Sequence, residues 1–553
     1  MPTISRFVQH LFKKNINSFN SRVACSLISY NSENQQRYND GKYNNHYKKI
    51  AIGAGVSLGF GLSFLTSKKE VDEEITGFGS PLPNLPTYKL TEIAEHSSKE
   101  KGIWVTYRHG VYDISEFIEL HPGGDIILMA AGGSIDPFWN LYAIHKQDHI
   151  LEMLEKYRIG NLDKEDAKGS KDDSDPYAWE PRRHPALMKS SDKPFCAEPP
   201  TQFLIQSHIT PQELFFVRNH LPVPDVDPET YELEIEGIGI EGTKTFTLDD
   251  LKKLPKHTVT ATIMCCGNRR GEMSKIKMIK GLNWGAGAIG TAEWTGVKLC
   301  DFLRSLGVSE DSKAEHVQFE GLDTDATNTS FGGSIPLVRA LDPRSEVILA
   351  YEMNGKPLSR DHGFPLRAIV PGVAGARNVK WLSRIIVSEN ESDSHWQKND
   401  YKGFSPNVDW DNVDFSSAPA VQELPVISAI CTPLNGDVVH ADVDDNITVK
   451  GYAWSGGGRN IIRVDLTCDH GKTWHTAKLL DKEKKSKAGD HVWDWTLWEA
   501  KIPLPKHADK EIDIQVKAVD SAYSTQPEYF ENIWNLRGVA NNAYHRVKVK
   551  VNK

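Results

Sequence analysis

The chain has 553 residues, 39% of them hydrophobic and 25% charged, with a net charge of −9. That is a globular composition at several times the usual domain size, which excludes both a single small domain and a disordered chain and calls for two to four domains. The seven cysteines are odd in number and lack C-x-x-C pairs, which excludes a disulfide framework or zinc ribbon and leaves reduced thiols.

The first 32 residues carry Arg6, Lys13, Lys14 and Arg22, no acid, and many hydroxyl and amide side chains. This segment resembles a mitochondrial presequence. After Lys48 and Lys49 comes IAIGAGVSLGFGLSFLT (50–66), an uncharged run of 17 residues. It is slightly shorter than the roughly 20 residues a spanning helix prefers. Together, residues 1–70 resemble the bipartite signal that delivers proteins to the mitochondrial intermembrane space, with cleavage after the apolar run. Any membrane contact is then confined to 50–66 before processing, and a retained anchor is the alternative. Through Lys49 there are eight Lys and Arg residues against Glu33 and Asp40, a net of +6, so the remainder carries −15. An acidic working protein argues against nucleic-acid binding and suits a basic protein partner.

Residues 87–161 read as one small α+β module: a strand (IWVTYRHGVYDI), helical pieces with turns, and the amphipathic HILEMLEKYRIG. The stretch 162–181, LDKEDAKGSKDDSDPYAWEP, is charged and poor in aliphatics, the composition of a solvated, mobile linker. Residues 182–420 alternate β-branched runs (YELEIEGI, HTVTATIM, SEVILAYEM) with short helices (LDDLKKL, LCDFLRSL), which predicts a mixed α+β domain of catalytic size. From 424 to 553 the helices nearly vanish. NITVKGYAW, RNIIRVDLTC and EIDIQVKAVD, spaced by turn residues, predict an all-β, immunoglobulin-like sandwich of seven-strand type, a fold that often binds partners or self-associates rather than catalyses.

Two motifs carry chemistry. HPGGDIILMAAGG (121–133) and PFWNLYAIHKQDHI (137–150) place His121 in a Pro-Gly-Gly turn and His145 twenty-four residues later, among Phe117, Leu120, Ile126, Leu128, Phe138, Leu141 and Tyr142. Two imidazoles on one haem iron fill both axial positions and restrict it to electron transfer. His149, one helical turn beyond His145, is a rival ligand. The second motif, ATIMCCGNRRGEM (261–273), sets Cys265 and Cys266 before Arg269 and Arg270. A thiolate at this strand end is a nucleophile, a metal ligand or an inert buried thiol, and nearby arginines stabilise the anion. Adjacent cysteines make a poor tetrahedral zinc pair, and no histidine base stands nearby.

The module from Thr87 to Asn161 resembles cytochrome b5. With eleven acids and seven bases it carries a net of −4, suited to a basic electron carrier. FFVRNHLPVP (215–224), MCCGNRRGEM (264–273), GLNWGAGAI (281–289), GLDTDATN (321–328), DHGFPLRAIVPGVAGARNVKW (361–381) and DYKGFSPNVDW (400–410) resemble the molybdopterin domain of sulfite oxidases. With the haem module in front, the resemblance is to the animal-type mitochondrial family and extends over almost everything after Thr87.

The resemblance implies a multidomain chain with two cofactors, Mo-molybdopterin and haem b. It implies His121 and His145 on the haem iron, following the family's YAxH pattern, with Gln147 and His149 near the haem edge. The family has one cysteine followed by a small residue, so Cys265 takes the molybdenum position and Cys266 replaces the small residue, although either thiol is chemically competent. A soft thiolate suits a high-valent metal already held by dithiolene sulfurs. The pterin and its phosphate fall to Phe216, Val217, Arg218, Asn219 and His220, with Asp323, His362, Arg367, Asn378, Val379 and Lys380. Arg218, Arg270 and Arg537 surround the oxyanion, with Trp284 and Tyr401 lining its pocket. The expected reaction is oxo transfer to sulfite, with electrons leaving singly through the haem to cytochrome c. The alternatives are a nitrate reductase-like molybdopterin enzyme, in which the haem module follows the molybdenum domain, and a non-catalytic haem carrier.

Overall fold

The computed structural model describes residues 77–552 apart from 122–126, 129, 142–144, 146, 170–174, 326, 481–489 and 505–510. The presequence and the apolar run 50–66 lie outside the described residues. Among the described residues no helix is long and apolar enough to cross a membrane.

In the N-terminal module the expected single strand is a hairpin, Gly102–Tyr107 paired antiparallel to Gly110–Asp113. Arg108 takes φ +52° in the two-residue turn between them, a reversal that the β-rich composition of IWVTYRHGVYDI concealed. HILEMLEKYRIG likewise divides, its first part in the helix Asp148–Glu155 and its end in the strand Arg158–Leu162. The strand order is Thr87–Tyr88, Arg158–Leu162, Gly110–Asp113, Gly102–Tyr107, Ser97–Ser98, with Gly133–Ser134 added to Gly102–Tyr107. Ile103, Val105, Tyr112, Ile114, Leu151 and Leu154 form the core beneath.

The segment 162–181 is structured at both ends. Leu162 closes a strand and Lys164–Gly169 is a helix whose Ala167 packs with Ile93, Val111 and Leu162. At the other end Tyr177 is buried, the Trp179 carbonyl accepts from Arg360, and Glu180 pairs with Arg183. Composition marked the segment as solvated because its charges outnumber its anchors, yet Ala167 and Tyr177 are buried, one toward each end.

The catalytic domain contains two five-stranded sheets. One runs Lys244–Thr247, Glu232–Gly237, Leu382–Ser388, His316–Thr324, Ser330–Pro336. The other runs Lys256–Met264, Ile289–Lys298, Ile348–Met353, Lys356–Pro357, with Arg367–Ile369 also paired to Ile348–Met353. Thr247 caps the helix Leu248–Lys253 in a reciprocal box with Asp250. The helix Leu299–Ser305 buries Leu299, Phe302 and Leu303, each such side chain contributing about 1.5 to 3 kcal/mol. Strand Lys256–Met264 alternates exposed and buried residues at its start, but its last four residues are all buried. That change matters for function, because the strand leads from the protein's edge into the site.

The C-terminal region forms two packed sheets, one of four strands and one of five. Seven of the nine have three or more residues, and His475–Thr476 and Lys478–Leu479 are two-residue additions. Val449, Val464, Leu466, Trp498, Ile514 and Val516 fill the space between the sheets. A second cluster joins this domain to the catalytic one, bringing Met264, Cys266 and Tyr401 against Tyr452, Trp454 and Trp495.

Candidate active site

Strand Lys256–Met264 ends at Cys265, where the chain reverses: the Asn268 N–H donates to the Cys265 carbonyl at 2.9 Å, and Arg269 adopts φ +63°. Cys265 is 6% exposed and its Sγ accepts from the Gly267 N–H at 3.4 Å. It opens onto a cavity lined also by Phe215, Phe216, Arg218, His220, Asp323, His362, Arg367, Asn378, Lys380 and Tyr401. Nine of the pterin-grip and pocket residues expected from sequence thus border one space together with the thiol.

One end of the cavity is cationic. Arg367 is buried with Nη1 on the His362 carbonyl at 2.9 Å and Nη2 on the Asn378 carbonyl at 3.0 Å, and burial lowers its pKa to about 9. Lys380 donates to Asn219 Oδ1 and to the Asp361 carbonyl, and burial lowers it to about 7. His362 donates to the Gln212 carbonyl at 3.0 Å and is held neutral, its pKa lowered by burial to about 4. Asp323 is 3% exposed, its Oδ1 has no hydrogen-bond partner, and burial raises its pKa to about 8. A buried acceptor left unmade is expensive. A pterin N–H would satisfy it, while Arg367 and Lys380 suit a phosphate, so the residues present fit the cofactor. Val379 differs from its neighbours: its side chain packs in the main core and only its carbonyl is engaged, by the Ala368 N–H.

At the other end, Arg218 and His220 border both this cavity and an adjoining pocket shared with Cys196, Leu282, Trp396 and Asp400. His220 Nε2 lies 2.6 Å from the Tyr401 hydroxyl. Burial, then Arg218 and Lys380, push this imidazole well below its usual pKa, so it is neutral. Arg270 reaches the same region through a passage made by glycines. A Cβ at Gly267 would stand 2.5 Å from its Nη2, and one at Gly281 2.9 Å from its Nη1. Its Nε donates to the Gly538 carbonyl at 3.1 Å and Nη1 to Leu282 at 3.2 Å, and the field of Cys265 and Tyr401 supports its charge against burial.

Three expected residues stand differently. Arg537 is ion-paired to Asp400 and so reaches the site with its charge already matched. Trp284 is fully buried in the cluster behind Cys265. Cys266 is 1% exposed in the core shared with the sandwich, and burial raises its thiol to about 12. Arg269 also turns away, bridging Glu272 to the Ser428 and Ala543 carbonyls of the sandwich. Sequence reading passed over Arg377, fully buried beside Tyr401, and Cys196, whose sulfur lies 3.6 Å from Arg218 Nη1. Arg377 sat unremarked inside a quoted motif, whereas Cys196 had no motif to mark it.

In the N-terminal module His121 follows the 3-10 turn Ile118–Leu120, with its ring 6.0 Å from Phe117. His145 stacks on Trp139 at 5.4 Å. Burial and then the nearby His121 lower the His145 pKa, so the two imidazoles share one electrostatic neighbourhood, as a haem iron between them requires. His149 and Gln147 are exposed at the start of the helix Asp148–Glu155. Of the expected apolar filling, Leu128 and Phe138 are partly buried, Leu120 is 54% exposed, and Ile126 and Tyr142 lie outside the described residues.

Comparison with known families agrees with this division. Residues 89–163 match the cytochrome b5-like heme/steroid binding domain, 220–396 the oxidoreductase molybdopterin binding domain, and 418–552 the Mo-co oxidoreductase dimerisation domain. The chain is a molybdopterin-dependent oxidoreductase with a cytochrome b5-type haem domain. The mitochondrial sulfite oxidase of Drosophila melanogaster is 58% identical over 476 residues, 84% of this chain and 81% of that protein. Its Homo sapiens counterpart is 53% identical over 466 residues, 84% of each. The chain therefore belongs to the sulfite oxidase family. A nitrate reductase of Hordeum vulgare is more distant, 39% identical over 69% of this chain and 44% of that protein. Among solved structures, the sulfane dehydrogenase SoxCD from Paracoccus pantotrophus matches with a TM-score of 0.52 and 27% identity, covering 68% of this chain and 87% of that one.

Proposed function

We propose that this chain oxidises sulfite to sulfate in the cavity at Cys265 and passes the two electrons singly, through a haem b held by His121 and His145, to cytochrome c. The observation that carries this reading is the convergence of Cys265, Arg218 and Tyr401 on one cavity with Asp323, Arg367 and Lys380, with Arg270 cradled alongside.

When bound, the molybdenum cofactor supplies the two-electron redox chemistry and the oxygen that sulfite gains. Cys265 would supply the protein's thiolate ligand, Asp323 would accept from the pterin, and Arg367, Lys380 and His362 would hold its phosphate. Phe216 lines the cavity and Asn219 the adjoining pocket, while Val217 packs behind them with Leu187, Phe195 and Ala197. Arg218 and Arg270 hold the oxyanion with charge that does not titrate away, and preorganised cations in a site shielded from water act most strongly. Tyr401, its hydroxyl on neutral His220, completes the rim, and Trp284 backs the thiol. Arg537 contributes through Asp400 rather than as a bare cation.

His121 and His145 would together hold the haem iron, and a haem so held would serve electron transfer. Its acidic module suits docking to a basic carrier such as cytochrome c, with residues 162–181 joining it to the catalytic domain. The dimerisation-domain match supports a homodimer through residues 424–553. The chain is a mitochondrial protein, as the names of its relatives indicate, and the basic leader followed by the apolar run 50–66 supports the intermembrane space.

Sulfite-dependent reduction of cytochrome c by the purified, cofactor-loaded protein tests the proposal. Substantial nitrate consumption with reduced methyl viologen, combined with negligible sulfite oxidation, would overturn it in favour of the nitrate reductase-like reading. Absence of bound molybdenum would favour the haem-carrier reading.

A further inference from the structure

Arg377 closes the short 3-10 helix Gly375–Arg377 and is fully buried, yet neither Nη1 nor Nη2 has a hydrogen-bond partner. Among the described residues no carboxylate lies within ion-pair distance of it, and Glu391, whose field reaches it, is engaged by Gln397 Nε2 at 2.8 Å. Burial lowers its pKa only to about 10, so it remains a cation at neutral pH. A buried cation without a matched anion is destabilising, which raises the question of what it serves.

Two features point to Tyr401. The Arg377 guanidinium carbon lies 5.8 Å from the centroid of the Tyr401 ring, within reach of a cation–π contact. A single residue also ties the two together: the Val421 N–H donates to the Tyr401 carbonyl at 2.8 Å, and the Val421 carbonyl accepts from Arg377 Nε at 3.2 Å. Gly375, Ala376 and Asn378 line the cavity but Arg377 does not. Its action on substrate is therefore indirect.

We infer that Arg377 is a positioning residue for the sulfite reaction, holding the Tyr401 ring and backbone so that the phenol faces the anion pocket. The inference rests on the placement of Tyr401 in that pocket. A residue that orients the phenol without touching the anion affects turnover more than substrate binding.

The test uses full-length enzyme loaded with both cofactors, assayed with ferricyanide as acceptor. Arg377→Met should lower kcat by about threefold to thirtyfold, the range of a desolvated cation–π contact, with KM changed by less than about twofold, and Arg377→Lys should recover part of the loss. In a Tyr401→Phe background Arg377→Met should add little. Equal losses in both backgrounds, unchanged kcat, or an effect confined to KM would overturn the inference. If Arg377→Met does not accumulate with molybdenum bound, Arg377→Lys and Arg377→Gln carry the same comparison by the same criteria. Wild-type turnover in Tyr401→Phe alone would instead overturn the placement of Tyr401, a distinguishable failure.

Discussion

Cys265 and Cys266 are consecutive residues whose side chains enter different cores. Cys265 lies with Phe215, Phe216 and Trp284 and borders the cavity, whereas Cys266 lies with Tyr452, Trp454 and Trp495 at the junction with the sandwich. The alternation of the preceding strand continues past its end, since Ile263 lies in the core of Cys265 and Met264 in that of Cys266. Burial in that apolar core raises the Cys266 thiol to about 12, and its side chain does not border the cavity that Cys265 lines.

From this follows the first prediction. Cys265→Ser should abolish sulfite turnover with every acceptor, because a hard hydroxyl replaces a soft thiolate. Cys266→Ala should keep most of the turnover and lose only packing stability, about 1 kcal/mol. Turnover measured with ferricyanide checks both, and the opposite pattern would exchange the two assignments.

His121 and His145 predict a low-spin, bis-imidazole haem spectrum. His145→Ala should eliminate that spectrum together with cytochrome c reduction, while ferricyanide-coupled sulfite oxidation continues at the molybdenum end. His149→Ala should leave the spectrum intact, because that residue is exposed at the start of the helix Asp148–Glu155. A normal spectrum in His145→Ala would transfer the ligand role to His149.

The stretch joining the domains is expected to set how quickly the haem receives electrons. Both of its ends are seated, so shortening should be confined to residues 170–174. That deletion should slow haem reduction after sulfite is added, followed by stopped-flow absorbance, without slowing ferricyanide-coupled turnover. Equal haem reduction rates in the deletion and the wild type would argue for a fixed docking geometry.

The acid limb of stability depends in part on His545. Its Nδ1 accepts from the Ile430 N–H at 3.0 Å, so protonating that nitrogen would break a backbone contact. Burial lowers its pKa from 6.5 to about 4. The unfolded chain therefore binds more protons than the folded one between those values. The stabilising effect of the neutral ring is complete above about pH 6.5 and fades as pH falls toward 4, amounting to about 3 kcal/mol at most. Thermal unfolding of His545→Gln should show a shallower decline between about pH 6.5 and 4.5 than wild type. Identical slopes would remove His545 from the account.

Much of this arrangement was legible in the chain. HTVTATIM announces a strand that ends at Cys265, and the helices at Leu248 and Leu299 follow from their apolar spacing. Asp323 and Arg367 were reached through family resemblance, since neither residue alone differs from an ordinary surface charge. The Arg108 turn was hidden because a residue at positive φ without glycine or asparagine leaves no compositional mark. The pairing of Arg537 with Asp400 was equally hidden, because it joins residues 137 apart in sequence and depends on how the sandwich meets the catalytic domain.

That pairing separates two arginines that sequence reading treated alike. Arg270 is held by the Gly538 and Leu282 carbonyls against Gly267 and Gly281, with no acid paired to it among the described residues. Arg537 donates its Nε to the Asp400 carbonyl at 3.0 Å and pairs with that residue's carboxylate. An anion approaching Arg270 gains a charge-assisted contact directly, whereas one approaching Arg537 must compete with Asp400. Arg270→Gln should therefore raise the KM for sulfite by about tenfold to a hundredfold, the loss of one charge-assisted hydrogen bond of about 1.5 to 3 kcal/mol. Arg537→Met should raise it by less than about tenfold, because the released Asp400 carboxylate repels the anion only from the rim. Steady-state kinetics at constant ionic strength distinguish the two, since salt screens the rim more than the buried charge. A larger effect at Arg537 than at Arg270 would mean that Asp400 gives way when the anion binds, leaving Arg537 as the principal cation.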